Sequence, residues 1–108
     1  MTVRELVEKA PFKAAVLPDP DREITGVYIG DLLSWVMGRA SGGDAWITIM
    51  SNVNIVAVAS LADTACVIEA EGVTPDEEIL ATASAKGVNI LLAEGGAYET
   101  AVALSKLL

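Results

Sequence analysis

The segment from Trp46 to Leu61 constrains the fold most, because its character changes twice over a short distance. It opens with an apolar stretch typical of a buried strand and breaks at the polar run Ser51-Asn52-Val53-Asn54. It then continues as a helix that is apolar almost all round, from Ile55 to Ala59. A strand, a tight polar turn and a buried helix in this order predict an α/β domain. In such folds ligands usually bind at the turns that follow the strands.

The same alternation extends along the chain. Short helices that connect apolar strands predict a largely parallel central sheet with helices on both faces, a three-layer α/β architecture. With 108 residues, the sequence 1–108 is predicted to form a single domain. The predicted strands are 12–17, 24–29, 45–50, 65–70 and 88–93, and the later helices are 32–37, 55–60, 75–86 and 97–108.

Capping residues predict where the helices begin and end. Thr2 and Glu5 have the spacing of a capping box at the start of the first helix. Gly87 is predicted to end the fourth helix in a left-handed conformation. The N-caps predicted for the second, third and fourth helices are Asp31, then Asn52 or Asn54, then Thr74 followed by Pro75.

Composition narrows the class of protein. The hydrophobic fraction of 53% is high for a small domain and predicts apolar surface buried in a homodimer, in addition to the core. Trp35 and Trp46 are each equally consistent with a subunit interface and with core packing. No apolar run approaches the roughly 20 residues that span a bilayer. The N-terminal residues are charged, so we expect neither a signal peptide nor membrane association, and we expect a cytoplasmic protein.

Charge and residue types exclude several functions. The net charge of −8 leaves no basic patch for phosphates, so nucleic-acid binding is not expected. The single cysteine, Cys66, lies in an apolar strand and is expected to be a buried small hydrophobe. The absence of histidine excludes Ser/His and Cys/His catalysis and the usual zinc sites. We therefore predict no catalytic residue, no cofactor and no metal site.

The turns after the strands are the predicted site. Right-handed crossovers place the turns 30–31, 51–54, 69–72 and 94–96 on one edge of the sheet. The hydroxyl and amide groups of the 51–54 turn suit an anion or the polar edge of a base, although plain helix capping is the simpler explanation. The predicted ligand-binding residues are Ser51, Asn52 and Asn54, with Asp31, Glu71 and Gly72 nearby.

Two other clusters at these turns have simpler explanations. Five acids, Asp31, Asp44, Glu69, Glu71 and Glu94, either converge on a hard cation or form a solvated acidic rim. Gly95-Gly96 precedes a helix as in a phosphate-binding loop. It has no following lysine or arginine, so it matches neither a P-loop nor the dinucleotide fingerprint.

The order of these segments resembles the DRTGG domain family, small α/β domains that occur alone or within larger enzymes. The resemblance is carried by residues 24–37, 43–63 and 65–104. It implies a fold like that of the N-terminal domain of HPr kinase/phosphorylase, without kinase activity because the P-loop domain is absent. The family's Asp-Arg pair falls at Ser51-Asn52 and its Thr-Gly-Gly at Glu69-Ala70-Glu71. This chain therefore lacks that arginine and carries two carboxylates instead.

Three functions follow from these observations. The first is a non-catalytic regulatory or ligand-sensing homodimer that binds a nucleotide or another small anion. The alternative is a protein-interaction module that docks a partner enzyme or kinase through its acidic face. The third, an enzyme that uses carboxylates and a divalent metal, has the least support because no basic group could hold a phosphate.

Overall fold

The computed structural model describes residues 1–108. Helices follow four of the five strands, and the first helix precedes them all. The helices are α1 (Val3–Lys9), α2 (Leu33–Arg39), α3 (Asn54–Ala62), α4 (Glu77–Lys86) and α5 (Ala97–Leu107). The strands are β1 (Lys13–Val16), β2 (Gly26–Ile29), β3 (Asp44–Thr48), β4 (Cys66–Glu69) and β5 (Ile90–Leu92).

The five strands form one sheet in the order β1-β5-β4-β3-β2. Strands β2 to β5 pair in parallel, and β1 runs antiparallel to β5 at one edge. The predicted three-layer α/β fold with a largely parallel sheet is therefore confirmed. Because β2 to β5 run in one direction, their carboxyl ends meet at a single edge of the sheet.

Two hydrophobic cores cover the two faces of the sheet. Helices α1 and α5 pack on one face, where Leu6 and Leu104 meet Ile47 and Ile68. Helices α2, α3 and α4 pack on the other face around Trp46. The side chains of β3 and β4 alternate between these cores, as strand geometry requires. Both faces are therefore apolar, which accounts for the high hydrophobic fraction of the chain.

The two tryptophans have different surroundings. Trp46 is fully buried, and its Nε1 donates a hydrogen bond of 2.8 Å to the carbonyl of Gly30. Trp35 on α2 is 51% exposed, and the Arg39 guanidinium lies 3.6 Å from its ring centroid. Trp46 is thus a core residue, and Trp35 is the tryptophan that an interface could use.

Local capping rules predicted some helix ends and missed others. The capping box of Thr2 and Glu5 and the left-handed C-cap at Gly87 are confirmed. The predicted cap Thr74 is wrong, because Asp76 accepts the hydrogen bond from the Ile79 amide and α4 begins at Glu77, two residues after the predicted start.

The N-cap predictions for α2 and α3 are also wrong. Leu32 and Val53 occupy the N-cap positions, and neither makes a side-chain cap. Asn52 instead bends the chain before α3, because its Oδ1 accepts a bond of 2.9 Å from the Asn54 amide. The carboxylate of Asp31 does not cap α2. It accepts hydrogen bonds from the Thr48 hydroxyl and the Ile49 amide at the end of β3 instead.

The longest helix, α5, has 11 residues, and no helix here has the length and apolar character needed to cross a membrane.

Candidate functional site

Four chain connections meet at the carboxyl ends of the parallel strands. They are the segments 30–32, 49–53, 70–76 and 93–96, which follow β2, β3, β4 and β5. None of these segments contains a lysine or an arginine. Arg39, Lys86 and Lys106 instead lie in the last turns of their helices, at the far end of the sheet. These four connections are therefore acidic. The basic residue of the sheet at this edge is Lys13, at the start of antiparallel β1, where it pairs with Leu92.

A row of polar side chains crosses three adjacent strands at this edge. Thr48 and Glu69 are paired residues in the β3–β4 register. Asp31, just after β2, accepts hydrogen bonds from the Thr48 hydroxyl at 2.8 Å and from the Ile49 amide at 2.9 Å. The Thr48 hydroxyl also accepts a bond of 3.1 Å from the Met50 amide. These bonds fix Asp31 and Thr48 beside the carboxyl group of Glu69.

Glu69 is the unusual member of this row. Its side chain is fully buried, and neither carboxyl oxygen has a hydrogen-bond partner in the protein. Burial, with a smaller contribution from the negative charge of Asp31, raises the pKa of Glu69 to about 8. Buried polar groups in proteins nearly always have partners, because desolvation without compensation is costly. An orphaned carboxyl group at the carboxyl edge of a parallel sheet therefore indicates a functional position.

Glu71 and Gly72 form a tight turn directly after β4. Both have positive φ angles, 63° and 70°, and the Val73 amide closes the turn on the Ala70 carbonyl at 3.2 Å. The Glu71 amide donates to the Gly95 carbonyl at 2.8 Å. A Cβ at Gly96 would lie 2.5 Å from the Glu71 carboxylate, so glycine leaves the room that this carboxylate occupies.

Replacing Glu71 by glycine is expected to raise stability by about 0.5–1 kcal/mol. The left-handed conformation costs a non-glycine residue about 1–2 kcal/mol, and glycine's greater freedom in the unfolded chain offsets part of this gain. Urea denaturation measures the change. The matched variant Gly72→Ala should lose stability through φ alone, because a Cβ there meets no atom within 4 Å. A destabilised Glu71→Gly variant would show that the carboxylate itself supports the fold.

The predicted binding residues form separate groups at this edge. Asp31 lies with Thr48 and Glu69, whereas Glu71 and Gly72 lie against the β5–α5 connection. The turn of Ser51, Asn52 and Asn54 forms hydrogen bonds within itself and to the first turn of α3, and no hydrogen bond joins it to Asp31 or Glu71. Asn54 also borders a groove of about 320 Å³ between α3 and α4.

The suggested convergence of five acids does not occur. Asp44 lies at the opposite end of the sheet, at the start of β3, where its carboxylate accepts a bond of 2.8 Å from the Ser41 amide. No group of three or more histidine, cysteine, aspartate or glutamate side chains is placed to hold a metal ion. Cys66 is fully buried, and burial raises the pKa of its thiol to about 12, so the thiol is unreactive.

Two residues of the polar row were not among the predicted binding residues. Thr48 was absent from the prediction, and Glu69 was considered only as one acid of a cluster. The signal that could have found them is a single polar residue at the end of an otherwise apolar strand. Ala65 to Ala70 is apolar except at Glu69, and Trp46 to Met50 is apolar except at Thr48.

Comparison with known proteins agrees with this architecture. The sequence pattern described as the DRTGG domain matches residues 14–107. A similar solved structure contains the CBS and DRTGG domains of the regulatory region of Clostridium perfringens pyrophosphatase, complexed with its activator diadenosine tetraphosphate. The TM-score is 0.77 at 15% identity, and the match covers 99% of this chain but only 47% of that one. At this identity the likeness shows the fold alone. No curated protein sequence matches the chain.

Proposed function

Because this chain belongs to the DRTGG domain family, we propose that it is a non-catalytic regulatory domain that senses a small ligand. The ligand occupies the carboxyl edge of the parallel strands. Asp31 and Glu71 contact it from two sides, Gly72 leaves room for it, and the turn of Ser51, Asn52 and Asn54 borders it. The regulatory, nucleotide-bound setting of the pyrophosphatase domains supports this role and makes nucleotides the first ligands to test.

One observation carries the proposal: the two unpartnered carboxyl oxygens of Glu69, buried at the edge where α/β domains bind ligands. A carboxyl group held this way beside Asp31 destabilises the free protein, and a ligand that hydrogen-bonds to it would offset that cost. Binding to the folded state alone stabilises a protein by about 2.7 kcal/mol at a hundredfold excess over Kd. Ligand binding at this edge is therefore expected to raise the free energy of unfolding.

A thermal-shift screen tests the proposal. The compounds are diadenosine tetraphosphate, adenine and guanine nucleotides, acyl phosphates, divalent metals and organic amines. We expect at least one class to raise Tm by roughly 5 °C or more, because about 1 kcal/mol moves Tm by 4–8 °C in a domain of this size. A screen in which no compound changes Tm would overturn the ligand-sensing proposal.

The 51–54 turn is tested separately with the ligand found in that screen. Replacing both Asn52 and Asn54 by alanine is expected to reduce the ligand-induced Tm shift at least by half, because two exposed amide groups are lost from the ligand's border. Ser105→Ala is the matched control, because Ser105 is exposed on α5, and it should keep the full Tm shift. An undiminished shift in the double variant would exclude this turn from the site.

The proposed domain works as a homodimer through the open edge of the sheet. Strand β2 has no neighbour on its outer side. Helix α2, which follows β2 in the chain, packs in the core around Trp46. Exposed apolar side chains occur on β2 and on or just before α2, which is typical of an interface. They are Val27, Ile29, Leu32, Trp35 and Met37, with exposures of 39%, 50%, 58%, 51% and 49%. Those of β2 lie on the α1 and α5 face of the sheet, because they pair with Ala45 and Ile47, and α2 packs on the other face.

Sedimentation velocity tests this dimer. Trp35→Glu should convert the dimer to a monomer at micromolar concentration, because it places a charge among these exposed apolar side chains. Tyr98→Glu is the matched control, since Tyr98 is 77% exposed on α5, away from the open edge of the sheet. A wild-type chain that sediments as a monomer would refute the dimer.

The second candidate function is docking to a basic partner protein through the acidic edge. The observation in its favour is the absence of lysine and arginine from all four connections at this edge. Binding of this kind should weaken steeply with ionic strength, because it depends on exposed charges. A partner complex that is insensitive to salt would exclude it.

A further inference from the structure

Resting on the proposed function, we propose that the Glu69–Asp31 pair is the recognition point for the positively charged nitrogen of a small organic cation. The ligand class is an alkylammonium or guanidinium compound. Its nitrogen approaches from the solvent side, where Asp31 is exposed, and uses Glu69 as the inner acceptor.

The carboxylate oxygens of the pair that lack hydrogen-bond donors favour this ligand. Asp31 uses Oδ1 for both of its bonds, to the Thr48 hydroxyl and the Ile49 amide, which leaves Oδ2 without a protein donor. Glu69 has two oxygens without partners. The pair therefore offers three acceptor oxygens and, with Glu69 ionised, two negative charges. Ammonium and guanidinium groups carry several N–H donors and a positive charge, and so satisfy both needs.

The acidic connections disfavour a phosphate group directly beside the Glu69–Asp31 pair. A phosphate placed next to two carboxylates would need a basic side chain to neutralise it. The connections after β2 to β5 carry Asp31, Glu71, Asp76 and Glu94 but no lysine or arginine. One basic residue, Lys13 on β1, lies in the same row of the sheet, because it pairs with Leu92, which pairs with Glu69. Lys13 makes no hydrogen bond to Glu69. The ligand must therefore supply the direct counter-charge, since charges buried without partners are costly.

The small number of acceptor groups also favours an organic cation over a metal ion. Calcium takes six to eight oxygen ligands, and magnesium requires near-octahedral geometry. The pair supplies only two carboxylates, and no third acidic or histidine side chain joins them. Apolar side chains line the same face of the sheet close by, including Leu33, Met50 and Leu92, which suits the carbon chain of an alkylamine.

Agmatine is the test ligand, because it carries a primary ammonium and a guanidinium on one alkyl chain. Calorimetric titration at pH 7 in two buffers of different ionisation enthalpy measures both Kd and proton release. We expect saturable binding with about one proton released per agmatine, as Glu69 changes from neutral to ionised. Glu69→Gln should bind about tenfold or more weakly and release no proton.

Glu78→Gln is the matched control. It removes a carboxylate from an exposed position on α4 and should leave Kd and proton release unchanged. Equal Kd values for the Glu69→Gln and Glu78→Gln variants would show that agmatine binding depends only on the net charge of the protein, and would overturn the inference.

The two proposals fail in different ways. If a nucleotide or acyl phosphate raises Tm but agmatine does not bind, the sensing function stands and the cationic ligand is refuted. If no compound binds at all, both are refuted. Binding of Mg²⁺ that is lost in Glu69→Gln, without binding of agmatine, would identify a metal site and also overturn the inference.

Discussion

The stability of the wild-type chain is expected to fall by about 2–4 kcal/mol between pH 5 and pH 8, and Glu69→Gln should abolish most of this loss. The pKa of Glu69 is raised from 4.5 to about 8 in the folded protein. Between these values the folded chain holds one proton that the unfolded chain has released. Each pH unit then lowers the free energy of unfolding by at most about 1.4 kcal/mol, and relaxation around the carboxyl group reduces the total.

Few other groups change charge in this range, so the effect can be assigned. The chain has no histidine. The terminal amine of Met1 forms an ion pair of 3.1 Å with exposed Glu23, and such surface pairs contribute little to stability. Urea denaturation at pH 5, 6.5 and 8 measures the effect, with Glu78→Gln as the control that keeps the wild-type slope. An identical pH dependence in Glu69→Gln and wild type would show that Glu69 titrates normally.

The second large effect is expected at Asn89, a buried residue just before β5. Its Oδ1 accepts a bond of 2.9 Å from the Asp19 amide, and its Nδ2 donates to the carbonyls of Asp19 at 2.7 Å and Ala65 at 2.9 Å. Asn89→Ala should lower the free energy of unfolding by about 3 kcal/mol, at roughly 1 kcal/mol per lost bond. Urea denaturation measures this loss.

Two further variants test the reason for that loss. Asn89→Asp should be at least as damaging at neutral pH, because a carboxylate would replace the donor that faces two carbonyl oxygens. Ser105→Ala removes an exposed side-chain bond to the Val102 carbonyl and should change stability by less than about 0.5 kcal/mol. Near wild-type stability of Asn89→Ala would show that the segment around Asp19 does not depend on this anchor.

The sequence predicted the fold well because its local signals agree with the tertiary structure. The stretches Ala45 to Thr48 and Ala65 to Ala70 are buried on both faces, and only a covered parallel sheet accommodates them. The capping box at Thr2 and the glycine at Gly87 depend on neighbours a few residues away. Rules of short range therefore identified them.

The features that the sequence did not predict depend on partners distant in the chain. Asp31 has the residue type and position of an N-cap, yet its carboxylate binds Thr48 and Ile49 of the next strand. Acidic residues such as Glu69 usually lie on the exposed surface, yet the sheet and helices bury Glu69 completely. Periodicity reports which residues are apolar, but it does not report whether a buried acid has a partner.

The candidate site was therefore predicted only in its location. Parallel strands and right-handed crossovers place the connections at one edge, which the sequence pattern indicates. The grouping within that edge follows from register and side-chain direction. Thr48 opposes Glu69 in the β3–β4 register, and the Glu71 turn packs against Gly95 and Gly96. Neither pairing has a signal in the spacing of residues along the chain.

The most direct measurement is the titration of the Glu69 side-chain carboxyl by ¹³C NMR, without and with saturating agmatine. The structure predicts a midpoint near pH 8 in the free protein, well above the ordinary value of 4.5. Agmatine should lower this midpoint by at least about two pH units, because a positive nitrogen beside the group favours its ionised form. A midpoint near 4.5 that agmatine does not move would contradict both the buried, unpartnered carboxyl group and the site built around it.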